Sequence, residues 1–126
     1  MSYARVAAVT GGNKGIGYAI IRGLALRYSA SALNNGPLVI YLTARSADRG
    51  MQALSDIHLD PALVEAKALR KDGGLIDIKF QELDIESEKS IDRFKEFMQK
   101  VHADGLDVLV NNAGVSLQGF GMFAAA

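Results

Sequence analysis

The residues with the clearest chemical meaning are glycines. Gly11, Gly15 and Gly17 follow the run Val6-Ala7-Ala8-Val9-Thr10 and lead into an apolar-periodic segment from Ile16, in the pattern Gly-x-x-x-Gly-x-Gly. Strand, glycine loop and helix in that order suit a dinucleotide. Its pyrophosphate must come close to backbone N–H groups at a helix N-terminus, and a Cβ would hold it away. The spacing departs from the commoner Gly-x-Gly-x-x-Gly. Glycine-rich turns between strand and helix are common without any ligand, so the loop takes its meaning from residues elsewhere.

Three cations come next. Thr43-Ala44-Arg45 ends the second apolar run with an arginine, where an NAD-selective site wants an acid for the ribose hydroxyls. Arg49 stands one helical turn further on, and Lys14 sits inside the glycine loop. Together they suit a 2′-phosphate, which an arginine binds bidentately. The plain alternative is a solvated arginine, with Asp48 close enough in sequence to pair with one of them. Asp84, past the third apolar run, is suited to accept from an adenine amino group, with the Ile85 backbone beside it. Equally, it is an ordinary acid near a helix N-terminus, favoured by the dipole. His58 and His102 have no partners at metal-ligand spacing and read as surface residues.

These residues need elements to position them. Val6–Val9 and Leu38–Thr43 read as buried strands, Ile76–Leu83 as an alternating strand, and Leu106–Val110 as a fourth. Between the first two strands runs a helix with Ile16, Ala19, Ile20, Gly23 and Leu24 on its expected buried face. Ser46 caps a second helix through Ala47–Ile57. Asp60-Pro61 starts a short third, with Val64, Ala68 and Leu69 as its apolar face, which reads as a surface insertion in the crossover. Ser87 precedes a fourth helix that buries Ile91, Phe94, Met98 and Val101. The resulting βαβαβαβ chain predicts an α/β fold, a Rossmann-type doubly wound parallel sheet of strand order 3-2-1-4, with later strands absent. Ligands of such sheets sit at the carboxyl edge, at the switch between the first and fourth strands. Gly11–Gly17, Thr43–Arg45, Asp84 and Asn111–Gly114 all map to that edge.

Composition narrows the alternatives. The 126 residues make one domain with a real core. Fourteen basic residues balance fourteen acidic ones, so no bulk field attracts nucleic acid or an anionic membrane. With no cysteine there are neither disulfides nor thiolate metal sites. No apolar run reaches spanning length and nothing resembles a signal peptide, which makes a cytoplasmic location the expectation. A P-loop phosphotransferase is disfavoured, because Lys14 is followed by Gly15-Ile16 and not by Ser or Thr.

Thr10-Gly11-Gly12-Asn13-Lys14-Gly15-Ile16-Gly17, taken with Asn111-Asn112-Ala113-Gly114, resembles the short-chain dehydrogenase/reductase family. Thr43-Ala44-Arg45 and Leu83-Asp84-Ile85 are most similar to its NADPH-dependent carbonyl reductase branch, and the likeness runs from about Val6 to Gly114. The resemblance implies NADP(H) as cofactor and hydride transfer to a ketone or aldehyde. It implies that Gly11, Gly15 and Gly17, with Ile16 between the last two, line the pyrophosphate. Asn13, Lys14, Arg45 and Arg49 would recognise the adenosine phosphate side, and Asp84 and Ile85 the adenine. Asn112, Ala113 and Gly114 would support the fourth strand and contact ribose.

The family's acid–base pair, a tyrosine four residues before a lysine, does not occur in these residues. Four beyond Tyr3, Tyr18, Tyr28 and Tyr41 stand Ala7, Arg22, Ala32 and Arg45. Ser116 lies in the loop after the fourth strand and is not nominated as the family's catalytic serine. Residues 115–126 form an atypical tail with no polar face and no helix start. The expectation is therefore a cofactor-binding half with no catalytic residue of its own. The alternatives are an inactive NADP-binding or interaction module, or a truncated product without function.

Overall fold

The computed structural model of the chain describes residues 3–112. The strands β1 (Arg5–Val9), β2 (Leu38–Ala44), β3 (Ile76–Glu82) and β4 (Val108–Val110) form one parallel sheet in the order β3-β2-β1-β4. Helices α1 (Gly15–Arg27), α2 (Ala47–His58), α3 (Pro61–Glu65) and α4 (Glu88–Val101) complete the expected alternation. Both faces are apolar because both are covered. Ala7, Val9, Ile40, Leu42, Ile76 and Ile78 meet α1, α2 and α3 on one side, while Val6, Ala8, Val39 and Tyr41 meet Phe94 and Met98 of α4 on the other.

Strand β4 is shorter than the apolar run Leu106–Val110 predicts. Asp107 accounts for this: its N–H donates to Val6 O at 2.8 Å, while its carboxylate Oδ2 accepts from Val6 N–H at 2.8 Å. A side chain thus takes the place of the first ladder bond.

Helix α1 lies rotated by about one residue, roughly 100°, from the face its apolar periodicity suggests. The buried positions are Gly17, Ile21 and Ala25, and Ile16 is 65% exposed. Gly17 sets this rotation. A Cβ there would collide with the Gly11 carbonyl and approach Asn112 Nδ2 at 2.7 Å, so only a glycine lets the helix sit so close under the loop. Ile20 and Leu24 pack at the rim of the core and, with Ile16 and Leu33, line an open apolar groove of about 480 Å³.

The short helix α3 is not a surface insertion. Leu63 is completely buried and Leu69 nearly so, whereas Val64 of the expected face is exposed. Asp60 anchors the segment: Oδ1 accepts from Ala62 N–H at 2.9 Å and Leu63 N–H at 3.3 Å, and Oδ2 accepts from Arg22 Nε at 2.7 Å. Burial alone would raise the Asp60 pKa, but the Arg22 bond and the two amide bonds outweigh it and hold the carboxyl below its ordinary value. In α4, Phe94 and Met98 are buried as expected, but Ile91 and Val101 are exposed. Its stripe is narrower than the spacing implies.

Both histidines are held within the fold. His58 Nε2 lies 3.1 Å from Ile78 O, and His102 Nε2 lies 2.6 Å from Tyr41 Oη. Each closes the end of a helix onto the sheet, through partners far away in sequence. Burial, followed by repulsion from Lys79, lowers the His102 pKa, and burial raises that of Tyr41.

Candidate functional site

The carboxyl ends of β1, β2 and β4 are tied together by threonines. Thr10 is buried at the end of β1, and its Oγ1 accepts from Asn112 N–H at 2.8 Å. Asn112 Nδ2 then donates to Gly11 O at 3.3 Å, so the residue after β4 grips the glycine loop through backbone and side chain alike. Thr43, fully buried, donates Oγ1–H to Val9 O at 3.0 Å, and Gly12 N–H donates to Thr43 O at 2.9 Å. Gly12 has no room for a side chain, since a Cβ would stand 2.7 Å from Ile21 Cδ1 and 3.2 Å from Leu42.

The two remaining loop glycines work through conformation. Gly11 and Gly15 have φ of 62° and 60°, a region that other residues enter at a cost. A Cβ at Gly15 would meet nothing within 4 Å, so the start of α1 faces open space. This end of α1 is also uncapped. Ser46, Asp60 and Ser87 each accept amide bonds at the starts of α2, α3 and α4, but Lys14 makes no side-chain cap and the first turn of α1 holds no acid. The first amides of α1 and its positive dipole end are thus left for an anion.

Cations stand at the same edge. Arg45 follows β2, Arg49 lies in the first turn of α2, and Lys14 precedes α1; all are exposed. None pairs with an acid among the described residues, and Asp48 binds neither arginine. At the β3 end, Asp84 is held from several sides. Its N–H donates to the buried Ser90 Oγ at 2.8 Å, its Oδ1 accepts from Glu86 N–H at 3.0 Å, and its carbonyl accepts from Ser87 N–H at 3.0 Å. Carboxylate Oδ2 has no hydrogen bond among the described residues.

The residues predicted from sequence thus lie at the ends of adjoining strands, except Ala113 and Gly114, which with the tail lie outside the described residues. The positioning roles of Thr10, Gly12, Thr43 and Ser90 are not among those read from the sequence. The two threonines had a signal: each is a polar residue ending an apolar strand, where an unsatisfied hydroxyl would be costly.

A sequence model of short chain dehydrogenases matches residues 5–126. The chain belongs to that family. Among curated relatives of this dehydrogenase chain, carbonyl reductase [NADPH] 3 of Rattus norvegicus is 38% identical over 117 residues, covering 93% of this chain and 34% of its own length. Carbonyl reductase [NADPH] 1 of Homo sapiens is 38% identical over 113 residues, 90% of this chain and 32% of its own. The chain therefore spans about a third of these relatives. Menthone neomenthol reductase from Mentha piperita superposes with a TM-score of 0.65 at 29% identity, covering 90% of this chain and 33% of that one. An alcohol dehydrogenase from Thermococcus sibiricus, complexed with 5-hydroxy-NADP, gives 0.60 at 27% identity over 89% of this chain and 38% of its own. Among the described residues, no helix of this dehydrogenase chain is long and apolar enough to cross a membrane, and no cluster of three or more His, Asp or Glu is placed for a metal.

Proposed function

We propose that this chain is the NADP(H)-binding portion of a cytoplasmic carbonyl reductase, an enzyme that passes hydride from NADPH to a ketone or aldehyde. The observation that carries the reading is the uncapped start of α1 beside three cations that have no counter-ion among the described residues. Gly11, Gly15, Ile16 and Gly17 present that helix end to the pyrophosphate. Asn13, Lys14, Arg45 and Arg49 receive the phosphate on the adenosine, and Asp84 with Ile85 receives the adenine. Asn112, with Ala113 and Gly114, steadies β4 and meets the ribose. The names of the two carbonyl reductases, both NADPH enzymes, support the choice of cofactor.

Bound NADPH supplies the hydride; a proton donor must come from the protein. No Tyr-x-x-x-Lys occurs in this sequence, so these 126 residues bind the cofactor without sustained turnover. Calorimetric titration with NADP⁺, NAD⁺ and 2′,5′-ADP tests the reading. NADP⁺ and 2′,5′-ADP should bind, NAD⁺ more weakly, and Arg45→Asp should cut the NADP⁺/NAD⁺ affinity ratio by about tenfold or more, the loss of one charge-assisted phosphate contact. Folded protein with no affinity for any of the three would end the proposal. An unchanged ratio in the variant would remove Arg45 from the phosphate site.

A further inference from the structure

Ser90 is the third residue of α4, a position where a serine is neither a good helix former nor needed as a cap. The cap is already present, because Ser87 Oγ accepts from Ser90 N–H at 3.2 Å. A Glu or Gln at this position commonly reaches back to the cap residue's own amide. Ser90 instead reaches past the cap. Its hydroxyl, buried within the fold, accepts from the N–H of Asp84, six residues earlier, at 2.8 Å. With the bonds from Glu86 N–H and Ser87 N–H, this fixes the backbone at Asp84 and leaves carboxylate Oδ2 as an acceptor with no hydrogen bond among the described residues.

We propose that Ser90 is a positioning residue for adenine recognition: it holds the Asp84–Ile85 turn so that the open carboxylate oxygen and the Ile85 backbone face the base in one fixed geometry. The inference rests on the cofactor reading above. Without the Ser90 oxygen, the Asp84 amide loses its partner, the turn loosens, and the carboxylate no longer discriminates between bases. The glycine loop is held by bonds of its own, Asn112 Nδ2 to Gly11 O and Gly12 N–H to Thr43 O, and stays in place.

The test compares binding of NADP⁺ with its hypoxanthine analogue, in which the adenine amino group is replaced by a carbonyl oxygen. The unaltered chain should prefer NADP⁺ by about tenfold, the worth of one hydrogen bond to a charged group. Ser90→Ala should reduce that preference several-fold, mainly by weakening NADP⁺. Ser90→Thr and Ser90→Val are alike in shape and differ in the oxygen; the first should keep the preference and the second lose it. Equal weakening of both ligands would make Ser90 merely structural and overturn the proposal, as would variants that bind like the parent. If the parent binds both dinucleotides equally, Asp84 does not read the base and the proposal fails while the cofactor reading stands. If it binds neither, the cofactor reading itself has failed.

Discussion

Three glycines along α1 would meet a methyl group in three different ways, and replacing each by alanine tests what sets the helix in place. At Gly17 the new Cβ would run into the Gly11 carbonyl, with Asn112 Nδ2 at 2.7 Å. That carbonyl is backbone, in a loop pinned by the Asn112–Gly11 and Gly12–Thr43 bonds, so it cannot swing aside. Overpacking of this kind costs about 1–3 kcal/mol, which outweighs the roughly 1 kcal/mol that alanine gains over glycine inside a helix. At Gly15 there is space, with nothing within 4 Å, but φ is 60° and alanine pays about 1 kcal/mol in strain. At Gly23 the one close atom is Arg27 Nη1 at 3.2 Å, the free end of a flexible side chain. Gly23→Ala should therefore stabilise by about 0.5–1 kcal/mol. Thermal unfolding followed by circular dichroism should rank Gly23→Ala above the parent, Gly15→Ala below it and Gly17→Ala lowest, with ~1 kcal/mol worth roughly 3–5 °C at this size. Gly17→Ala should also lose about tenfold in NADP⁺ affinity, because the loop and the first amides of α1 move apart. A Gly17→Ala protein as stable as the parent would refute the claim that this contact sets the rotation of α1.

Asp60→Ala removes a helix cap and the Arg22 bond together and should cost about 1–2 kcal/mol, whereas Arg22→Ala, at a half-exposed partner, should cost less than about 1 kcal/mol; urea titration reads both. Because Asp60 is held below its ordinary carboxylate value, its contribution is complete above that value and is lost as pH falls through the folded one, so Asp60→Ala should be less acid-sensitive than the parent below pH 4. His102 behaves in the same direction for the opposite chemical reason. Its pKa in the fold lies below 6.5, so the unfolded chain takes up the proton first and stability falls as pH drops below 6.5. The groups that face it are Tyr41 Oη, the Tyr3 ring and the Lys79 ammonium. His102→Gln should flatten the melting temperature across that window; an unchanged slope would clear His102 of the effect.

The inner strand β2 was legible because a parallel strand buried on both faces reads as a near-continuous apolar run, and it is buried from Leu38 to Ala44 without a break; the strand order followed from right-handed crossovers. The glycine loop and the cation at the end of β2 were legible for a local reason: each is defined by residues close together in sequence. The rotation of α1 was not. Ile16, Ile20 and Leu24 make a convincing stripe, yet the contact that decides the matter joins Gly17 to Gly11 and Asn112, and no periodicity contains it. The same holds for α3, whose depth depends on Arg22 reaching Asp60 across 38 positions, and for His102, whose partner Tyr41 is 61 positions away. Ser90 was hidden by ambiguity, since a serine near a helix start reads as a cap whether or not its hydroxyl serves something else.

What distinguishes the carboxyl edge is the kind of group left without a partner: a helix start and exposed charges beside loops held by buried hydroxyls. At the opposite end of the sheet several polar groups find partners within the chain: Tyr28 Oη donates to Gly36 O at 2.7 Å and accepts from Asn35 N–H at 3.2 Å, Tyr3 Oη donates to Asp77 at 2.7 Å, and Asp107 completes the start of β4, while the buried Arg70 Nη1 and Asp72 Oδ2 have no hydrogen bond among the described residues. At the carboxyl edge, the groups that position the loops are equally well satisfied, as Thr10, Thr43 and Ser90 show. The groups left without partners among the described residues are an uncapped helix start, three cations and one carboxylate oxygen. On the cofactor reading proposed above, buried hydroxyls fix the loops and exposed charges of fitting sign stand beside them, a frame around groups that suit an anion and a base. The frame can be broken without touching the charges, as Gly17→Ala does, and the charges altered without disturbing the frame, as Arg45→Asp does. Gly17→Ala should weaken every adenine dinucleotide alike, whereas Arg45→Asp should spare NAD⁺, so binding measurements on the two variants separate the frame from the charges.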